Sequence, residues 1–166
     1  MKYLLDTGTC IYALKQHRGV LDRLLQESPD DVAVSAMTAA ELAFGALKSR
    51  KPEQAKVQVD AFLEPLSVLP FDREAAARHA EIRFALRGAP IGERDLVIAS
   101  VAAAAALVLV THNRREFGRV PGIEIEDWAD EFAHEAGARY PAPRRRPTRS
   151  RRREASQAGT DRERGL

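Results

Sequence analysis

The chain has 166 residues, of which 45% are hydrophobic and 30% are charged, so its length and composition are those of one soluble globular domain. A single cysteine excludes a framework of internal disulfide bonds. The longest apolar run, residues 96–110, contains Ser100 and is shorter than the roughly 20 residues that span a bilayer. Since the chain also begins without a leader-like segment, we expect a cytoplasmic protein that does not associate with a membrane.

The two ends of the chain differ in charge. Residues 1–140 hold 17 Lys and Arg against 21 Asp and Glu, whereas residues 141–166 hold 9 Arg against 3 acidic residues. The net charge of +2 therefore comes from a Pro- and Arg-rich tail. Because this tail has no apolar periodicity, we predict one domain over residues 1–137 and a disordered extension over residues 138–166. The extension either binds RNA, lies over an acidic surface of the domain, or has no specific role.

Short apolar segments and helix-like segments alternate along the domain. The predicted strands are residues 2–5, 31–35, 67–70, 107–111 and 123–125. The predicted helices are residues 8–16, 20–27, 38–48, 52–63, 73–87 and 95–106. Most of the strands are apolar throughout, which is typical of a sheet covered on both faces. This order predicts an α/β fold, a three-layer α/β/α sandwich around a mainly parallel sheet of about five strands.

Four polar residues follow predicted strands at comparable positions. Asp6 ends the first strand, Glu41 lies in the helix after the second, Asp95 begins the most apolar helix, and Asn113 follows the fourth strand. Because the carboxyl ends of parallel strands share one edge of a sheet, we expect these side chains to line one cleft. Oxygen ligands from separate elements can hold Mg²⁺ and leave positions for phosphate oxygens and an attacking water. The pattern therefore predicts metal-dependent phosphodiester chemistry.

Each of these residues also has a purely structural interpretation. Asp6 can cap the helix that follows it. Glu41 stands three residues after Thr38, which is the spacing of a capping box. Asp95 can complement a helix dipole, and Asn113 can occupy a turn. The functional interpretation depends on the coincidence of all four positions at one predicted edge.

The order and spacing of four segments resemble the PIN domain, and more narrowly the VapC-like ribonuclease toxins of bacterial toxin–antitoxin pairs. The matching segments are residues 3–7, 34–46, 91–99 and 109–117, within a similarity that covers residues 2–130. Most of its specificity is carried by three blocks, which are Glu41 with Gly45, Gly92 with Asp95, and Thr111 with Asn113 and Phe117. The resemblance implies a metal-dependent endoribonuclease of single-stranded RNA that is built on a central parallel sheet.

The resemblance also assigns roles to residues of this chain. The implied catalytic acids, which are also the implied ligands of Mg²⁺ or Mn²⁺, are Asp6, Glu41 and Asp95. Thr7 and Thr111 are implied as hydroxyls that support these acids. The fourth catalytic position, here Asn113, is often Asp in the family, so a strongly bound second metal ion is not expected in this chain.

The implied partners are a cognate antitoxin protein, a second copy of the chain in a homodimer, and an RNA substrate of the tRNA or rRNA class. Arg114 and Arg115 follow the predicted cleft and are candidate contacts to substrate phosphates, with a solvated charged turn as the alternative. His112 and Glu116 also lie beside the cleft, and the sequence does not decide whether they take part.

Two other functions stay open at this point. The chain can be a non-catalytic RNA-binding module, for which the acids are not required. It can also be another α/β phosphohydrolase with an Asp at a strand end, such as an aspartyl-phosphate phosphatase. That enzyme needs a second Asp two residues after the first, where this chain has Gly8. Cleavage of RNA with and without a divalent ion separates these cases.

Overall fold

The structure is a computed structural model, and it describes residues 1–129. Five strands form one sheet. They are β1 (Tyr3–Leu5), β2 (Val32–Ser35), β3 (Ser67–Leu69), β4 (Val108–Val110) and β5 (Ile125–Glu126). Their order across the sheet is β3-β2-β1-β4-β5, and every pair is parallel. The predicted α/β fold is confirmed, and the sheet of the described residues is wholly parallel where the sequence predicted a mainly parallel one.

Helices connect the strands and cover both faces of the sheet. Their bounds are α1 (Thr7–Leu14), α2 (Arg18–Gln26), α3 (Ala36–Leu47), α4 (Pro52–Leu63), α5 (Arg73–Ala85), α6 (Glu93–Ala104) and α7 (Arg114–Phe117), with a 3₁₀ turn at Pro29–Asp31. Three of them, α2, α3 and α6, begin two residues earlier than the sequence predicted. For α3 the reason is the hydroxyl of Ser35, which accepts a hydrogen bond from the Thr38 amide at 3.0 Å. The helix α7 was not predicted, because four residues are too few to show a period.

The strands bury side chains on both faces of the sheet. On β1, Leu4 belongs to a cluster with residues of α5 and α6, whereas Leu5 belongs to a second cluster with residues of α1, α2, α3 and α4. Successive side chains of a strand point to opposite faces, so adjacent leucines enter different layers. Both leucines are fully buried. The predicted three-layer sandwich follows from this arrangement.

The strand order determines what meets at the carboxyl edge of the sheet. β1 is central, with β2 on one side and β4 on the other. The chain turns to opposite sides of β1 at this point, and ligands of open α/β sheets bind at such a crevice. The residues that follow β1, β2 and β4 are therefore neighbours at this edge.

Within residues 1–129, no helix has both the length and the apolar character needed to cross a membrane. The predicted domain boundary at residue 137 and the predicted basic tail, residues 138–166, lie outside the described part of the chain.

Candidate active site

Asp6 lies at the centre of the carboxyl edge, directly after β1. Its Oδ1 accepts a hydrogen bond from the Thr9 amide at 2.6 Å, and its Oδ2 accepts one from the Thr111 hydroxyl at 2.6 Å. Asp6 therefore caps α1 through Oδ1, which is the structural role that the sequence allowed for it. Its other oxygen, Oδ2, is used for the contact with Thr111. Only 5% of the residue is exposed. Burial raises the pKa of this carboxyl above its ordinary value, against the smaller opposing effect of the hydrogen bonds from Thr111 and Thr9.

Thr111 connects Asp6 to the loop after β4. Besides donating to Asp6, its hydroxyl accepts a hydrogen bond from the Asn113 amide at 2.9 Å, and the residue is fully buried. The neighbouring hydroxyl of Thr9 donates to the Val110 carbonyl at 3.0 Å, which ties the first turn of α1 to β4. These bonds hold the Asp6 carboxylate in one orientation.

Glu41 projects from α3 toward the same edge. Its Oε2 accepts a hydrogen bond from the Thr7 hydroxyl at 2.6 Å, and its Oε1 forms a salt bridge with Arg94 at 2.6 Å. Both carboxylate oxygens are thus engaged by groups from other elements, 34 and 53 residues away in the chain. The Thr7 contact lies where the resemblance placed a supporting hydroxyl.

The capping-box interpretation of Glu41 is wrong. The Thr38 residue proposed as the cap lies inside α3, and its hydroxyl and that of Ser35 share a hydrogen bond of 3.0 Å. Ser35 is the residue before the first helical position, so the capping role belongs to it. Glu41 stands six residues after this cap, too far along the helix to reach back to an unpaired amide.

Asp95 and Asn113 meet from the opposite side of the edge. The Asn113 side-chain amide lies 3.4 Å from Asp95 Oδ2, which is a long hydrogen bond. Burial raises the pKa of Asp95 above its ordinary value, and the negative charges of Asp6, Glu41 and Glu116 raise it further. Asp95 also lies in the first turn of α6, so it complements the helix dipole as well. Hydrogen bonds thus run from Asp6 through Thr111 and Asn113 to Asp95.

The residues that flank the loop after β4 differ in how they are held. His112 Nδ1 lies 2.8 Å from the buried Asp127, and Arg114 Nε lies 3.7 Å from the same carboxylate. Arg115 is nearly fully exposed, and its nearest acid, Glu116, lies 4.0 Å away. The two arginines, which the sequence could not separate, therefore stand in different surroundings.

Sequence reasoning missed three residues of this edge. Asp127 follows β5 directly, but the predicted strand ends at residue 125 and β5 ends at Glu126, so the strand-end rule that identifies Asp6 misses it. Arg94 precedes Asp95, and no pattern along its own helix indicates that it reaches Glu41, 53 residues away. Thr9 lies one residue beyond Gly8 in the first turn of α1, and no spacing rule identifies its contact with Val110 of β4.

The donor set suits a hard divalent cation, with one restriction. Within residues 1–129, no three Asp, Glu, His or Cys side chains lie close enough together to bind one metal ion directly. Mg²⁺ commonly takes only one or two carboxylates and keeps several waters, so a hydrated ion fits these residues. An ion at Glu41 would have to compete with Arg94 for Oε1. The assignment of Asp6, Glu41 and Asp95 to a shared ion stays a prediction.

Comparison with known proteins agrees with this arrangement. A family model described as the PIN domain matches residues 3–123. The tRNA(fMet)-specific endonuclease VapC of Salmonella typhimurium is 40% identical over 130 residues, which cover 77% of this chain and 98% of that protein. Ribonuclease VapC2 of Rickettsia felis is 37% identical over 132 residues, with 77% and 98% covered.

Similarity extends to the three-dimensional structure. The crystal structure of DNA-bound VapBC from Salmonella typhimurium contains a chain that superposes with a TM-score of 0.74 at 40% identity, over 77% of this chain and 98% of that one. Identity at this level, over almost the whole length of each relative, decides the question of family. This chain belongs to the PIN-domain family and to its VapC branch.

Proposed function

We propose that this chain is the toxin of a toxin–antitoxin pair, and that it is an endoribonuclease which hydrolyses phosphodiester bonds in single-stranded regions of RNA with the help of Mg²⁺ or Mn²⁺. The observation that carries the proposal is the set of hydrogen bonds that brings three acids from separate elements to the carboxyl edge of the sheet. Asp6 is linked through Thr111 and Asn113 to Asp95. Glu41 is bonded to Thr7 and Arg94, the chain neighbours of the other two acids. Membership of the VapC branch supports the ribonuclease part of the proposal, because the relatives are named as an endonuclease and a ribonuclease.

The residues of the edge have separable tasks in this chemistry. When bound, a divalent ion would lower the pKa of a water and neutralise charge on the scissile phosphate. Asp6, oriented by Thr9 and Thr111, and Asp95 offer oxygen ligands. The Thr7 hydroxyl orients Glu41, and Arg94 neutralises it while no cation is present. Asn113 orients toward Asp95 and adds no charge of its own.

The relatives support proposals for the substrate and for the partners. One of them is named for its action on tRNA(fMet), so we propose RNA of the tRNA or rRNA class as the substrate. The related crystal structure is of VapBC, a complex of two proteins, which supports a cognate antitoxin as the inhibitory partner. We further propose a homodimer as the acting form and the cytoplasm as its location, where these RNAs are found.

Removal of divalent ions tests the proposal. Purified chain, freed of antitoxin, is incubated with total bacterial tRNA in Mg²⁺, in Mn²⁺ and in excess EDTA, and the product ends are sequenced. We expect cuts at defined single-stranded positions with either ion and none with EDTA, because clustered carboxylates repel the phosphodiester when no cation is bound. Cleavage that continues unchanged in EDTA would contradict the metal-dependent mechanism.

One observation favours a non-catalytic RNA-binding module as the second candidate. Arg94 forms a salt bridge with Glu41. Within residues 1–129, no three acidic side chains lie close enough together to hold one metal ion. A module of this kind would bind the tRNA in the same experiment and leave it intact with every divalent ion. Turnover with Mg²⁺ or Mn²⁺ excludes it.

Replacing Thr111 with Val is expected to lower kcat about 10- to 100-fold, the usual effect of losing a group that orients a metal ligand. The valine keeps the shape of Thr111 but removes the hydroxyl that donates to Asp6 and accepts from Asn113. Mn²⁺ affinity, measured by calorimetry, should fall by a similar factor. Thr111→Ser is the matched control, because it keeps the hydroxyl. Equal kcat and equal Mn²⁺ affinity in the two variants would show that this hydrogen bond has no role.

A further inference from the structure

One buried carboxylate at the edge of the sheet holds two exposed basic side chains. The Asp127 side chain is 1% exposed, and its Oδ2 lies 2.8 Å from His112 Nδ1 and 3.7 Å from Arg114 Nε. The other oxygen, Oδ1, accepts a hydrogen bond from the Ala129 amide at 3.0 Å. An ionised carboxylate offers only acceptor oxygens, so the proton of His112 lies on Nδ1 in this contact.

The pair lies beside the candidate active site. Thr111 contacts Asp6 and Asn113 contacts Asp95, and His112 stands between these two residues in the same loop. The His112 ring also packs edge-on against the Tyr12 ring of α1, with 5.9 Å between the ring centres. The ring is therefore fixed on one side by a carboxylate and on another by an aromatic face.

Both basic side chains stay largely in solvent, so their contacts with Asp127 do not arise from burial of the basic side chains themselves. His112 is 50% and Arg114 61% exposed, although each is tied to a nearly inaccessible acid. His112 Nε2 is on the far side of the ring from Asp127. Among residues 1–129, neither this atom nor the terminal nitrogens of Arg114 make a hydrogen bond to the protein. Two oriented basic groups thus present unpaired polar atoms next to the acids.

We propose that His112 and Arg114 together bind the sugar–phosphate backbone of the RNA nucleotide next to the scissile phosphate, with Asp127 as the residue that positions them. This inference rests on the proposed ribonuclease function. Contacts from basic side chains to the phosphates and sugars fix the register of a strand on a protein. Holding both groups in advance lowers the entropy lost when the strand binds.

The arrangement selects Arg114 over Arg115. Arg115 is 92% exposed, and within residues 1–129 its acidic partner is Glu116, which is itself 27% exposed and lies 4.0 Å away, so this arginine has no buried anchor there. A sequence of two arginines gives no such distinction. The buried anchor is what makes Arg114 and His112 act as a unit.

RNA binding by four variants tests the proposal. A fluorescein-labelled single-stranded RNA pool of mixed sequence is titrated in Mg²⁺ with chains that also carry Asp6→Asn, so that binding is measured without turnover. His112→Gln and Arg114→Gln should each weaken binding about tenfold, the effect of losing a hydrogen bond to a charged group. Arg114→Gln should also lower the slope of log K against log[salt] by about one. His79→Gln, on α5 beside Phe71, is the control and should leave both quantities unchanged.

Asp127→Asn separates positioning from simple charge. Removal of a negative charge near the edge would tighten binding of a polyanion if only the net field mattered. The proposal requires the opposite, about tenfold weaker binding with an unchanged salt slope, because the two basic groups lose their anchor. Thermal unfolding checks that the variant is folded. Should it unfold, the variants of His112 and Arg114, both exposed, decide the matter alone.

Several outcomes overturn the inference. RNA binding by His112→Gln and Arg114→Gln at the level of His79→Gln would remove it while leaving the ribonuclease proposal intact. The same result combined with weaker binding of the antitoxin would assign the pair to a protein partner. A parent chain that neither binds nor cuts RNA would overturn both proposals together.

Discussion

An Asp6→Asn chain is expected to cut RNA at least about 10³-fold more slowly than the wild type, since a metal ion contributes several kcal/mol to the transition state and each 1.4 kcal/mol is tenfold in rate. The asparagine can still accept the Thr9 amide and so still cap α1. It cannot supply a negative oxygen to a cation. We therefore expect the variant to lose activity and keep its fold. Initial rates of RNA cleavage measure the activity, and circular dichroism measures the fold.

The same substitution is expected to stabilise the folded chain at pH 7 by about 1 kcal/mol, as often happens when a strained functional residue is replaced. Burial raises the pKa of Asp6 above the ordinary value of 3.8, so the folded state holds this proton more tightly than the unfolded state does. Stability then falls as pH rises from the unfolded pKa to the folded one, and the loss is complete above both. The gain from Asp6→Asn should be full at pH 7 and should shrink as the pH approaches 4.

Two further variants make this result specific. Asp60→Asn removes an exposed acid that is paired with Lys56, and it should leave the activity unchanged. Asp6→Ala removes the cap as well as the charge, so it should be less stable than Asp6→Asn by about 1 kcal/mol. Wild-type rates in Asp6→Asn would exclude this carboxylate from the chemistry.

The sheet and most of its helices could be predicted because their signals are local. Apolar runs identify the strands, and Pro52 is the first residue of α4, as predicted. That Asp6, Glu41, Asp95 and Asn113 share one edge also followed from the sequence, since parallel strands place their carboxyl ends together. These inferences need only the periodicity and the topology.

What could not be predicted depends on contacts between distant segments. Arg94 reaches Glu41 across 53 residues, and His112 reaches Asp127 across 15. Spacing rules describe positions along one element, and they do not say which side chain of another element will arrive there. The start of α3 was misplaced for a related reason, because Ser35 and Thr38 are both good caps and only the strand before them decides between the two.

A second large effect is expected from Trp128→Ala, which should lower the free energy of unfolding by about 4 kcal/mol. Trp128 is almost fully buried after β5, its ring packs edge-on against Tyr3 at 5.1 Å, and the Arg23 guanidinium lies 5.5 Å from its centre. Its indole N–H also donates to Glu126 at 2.8 Å. Removing the ring leaves a cavity between the first and last strands of the described sheet. Urea unfolding at pH 7 measures the change.

Trp128→Phe separates the packing from the hydrogen bond. It keeps an aromatic ring against Tyr3 but leaves Glu126 without the indole donor, so a loss of about 1–2 kcal/mol is expected. Because Trp128 follows Asp127 directly, the alanine variant should also loosen the anchor of His112 and weaken RNA binding at temperatures where the chain is still folded. A Trp128→Ala chain within 1 kcal/mol of the wild type, on the scale of ordinary surface changes, would show that this end of the sheet does not depend on its tryptophan.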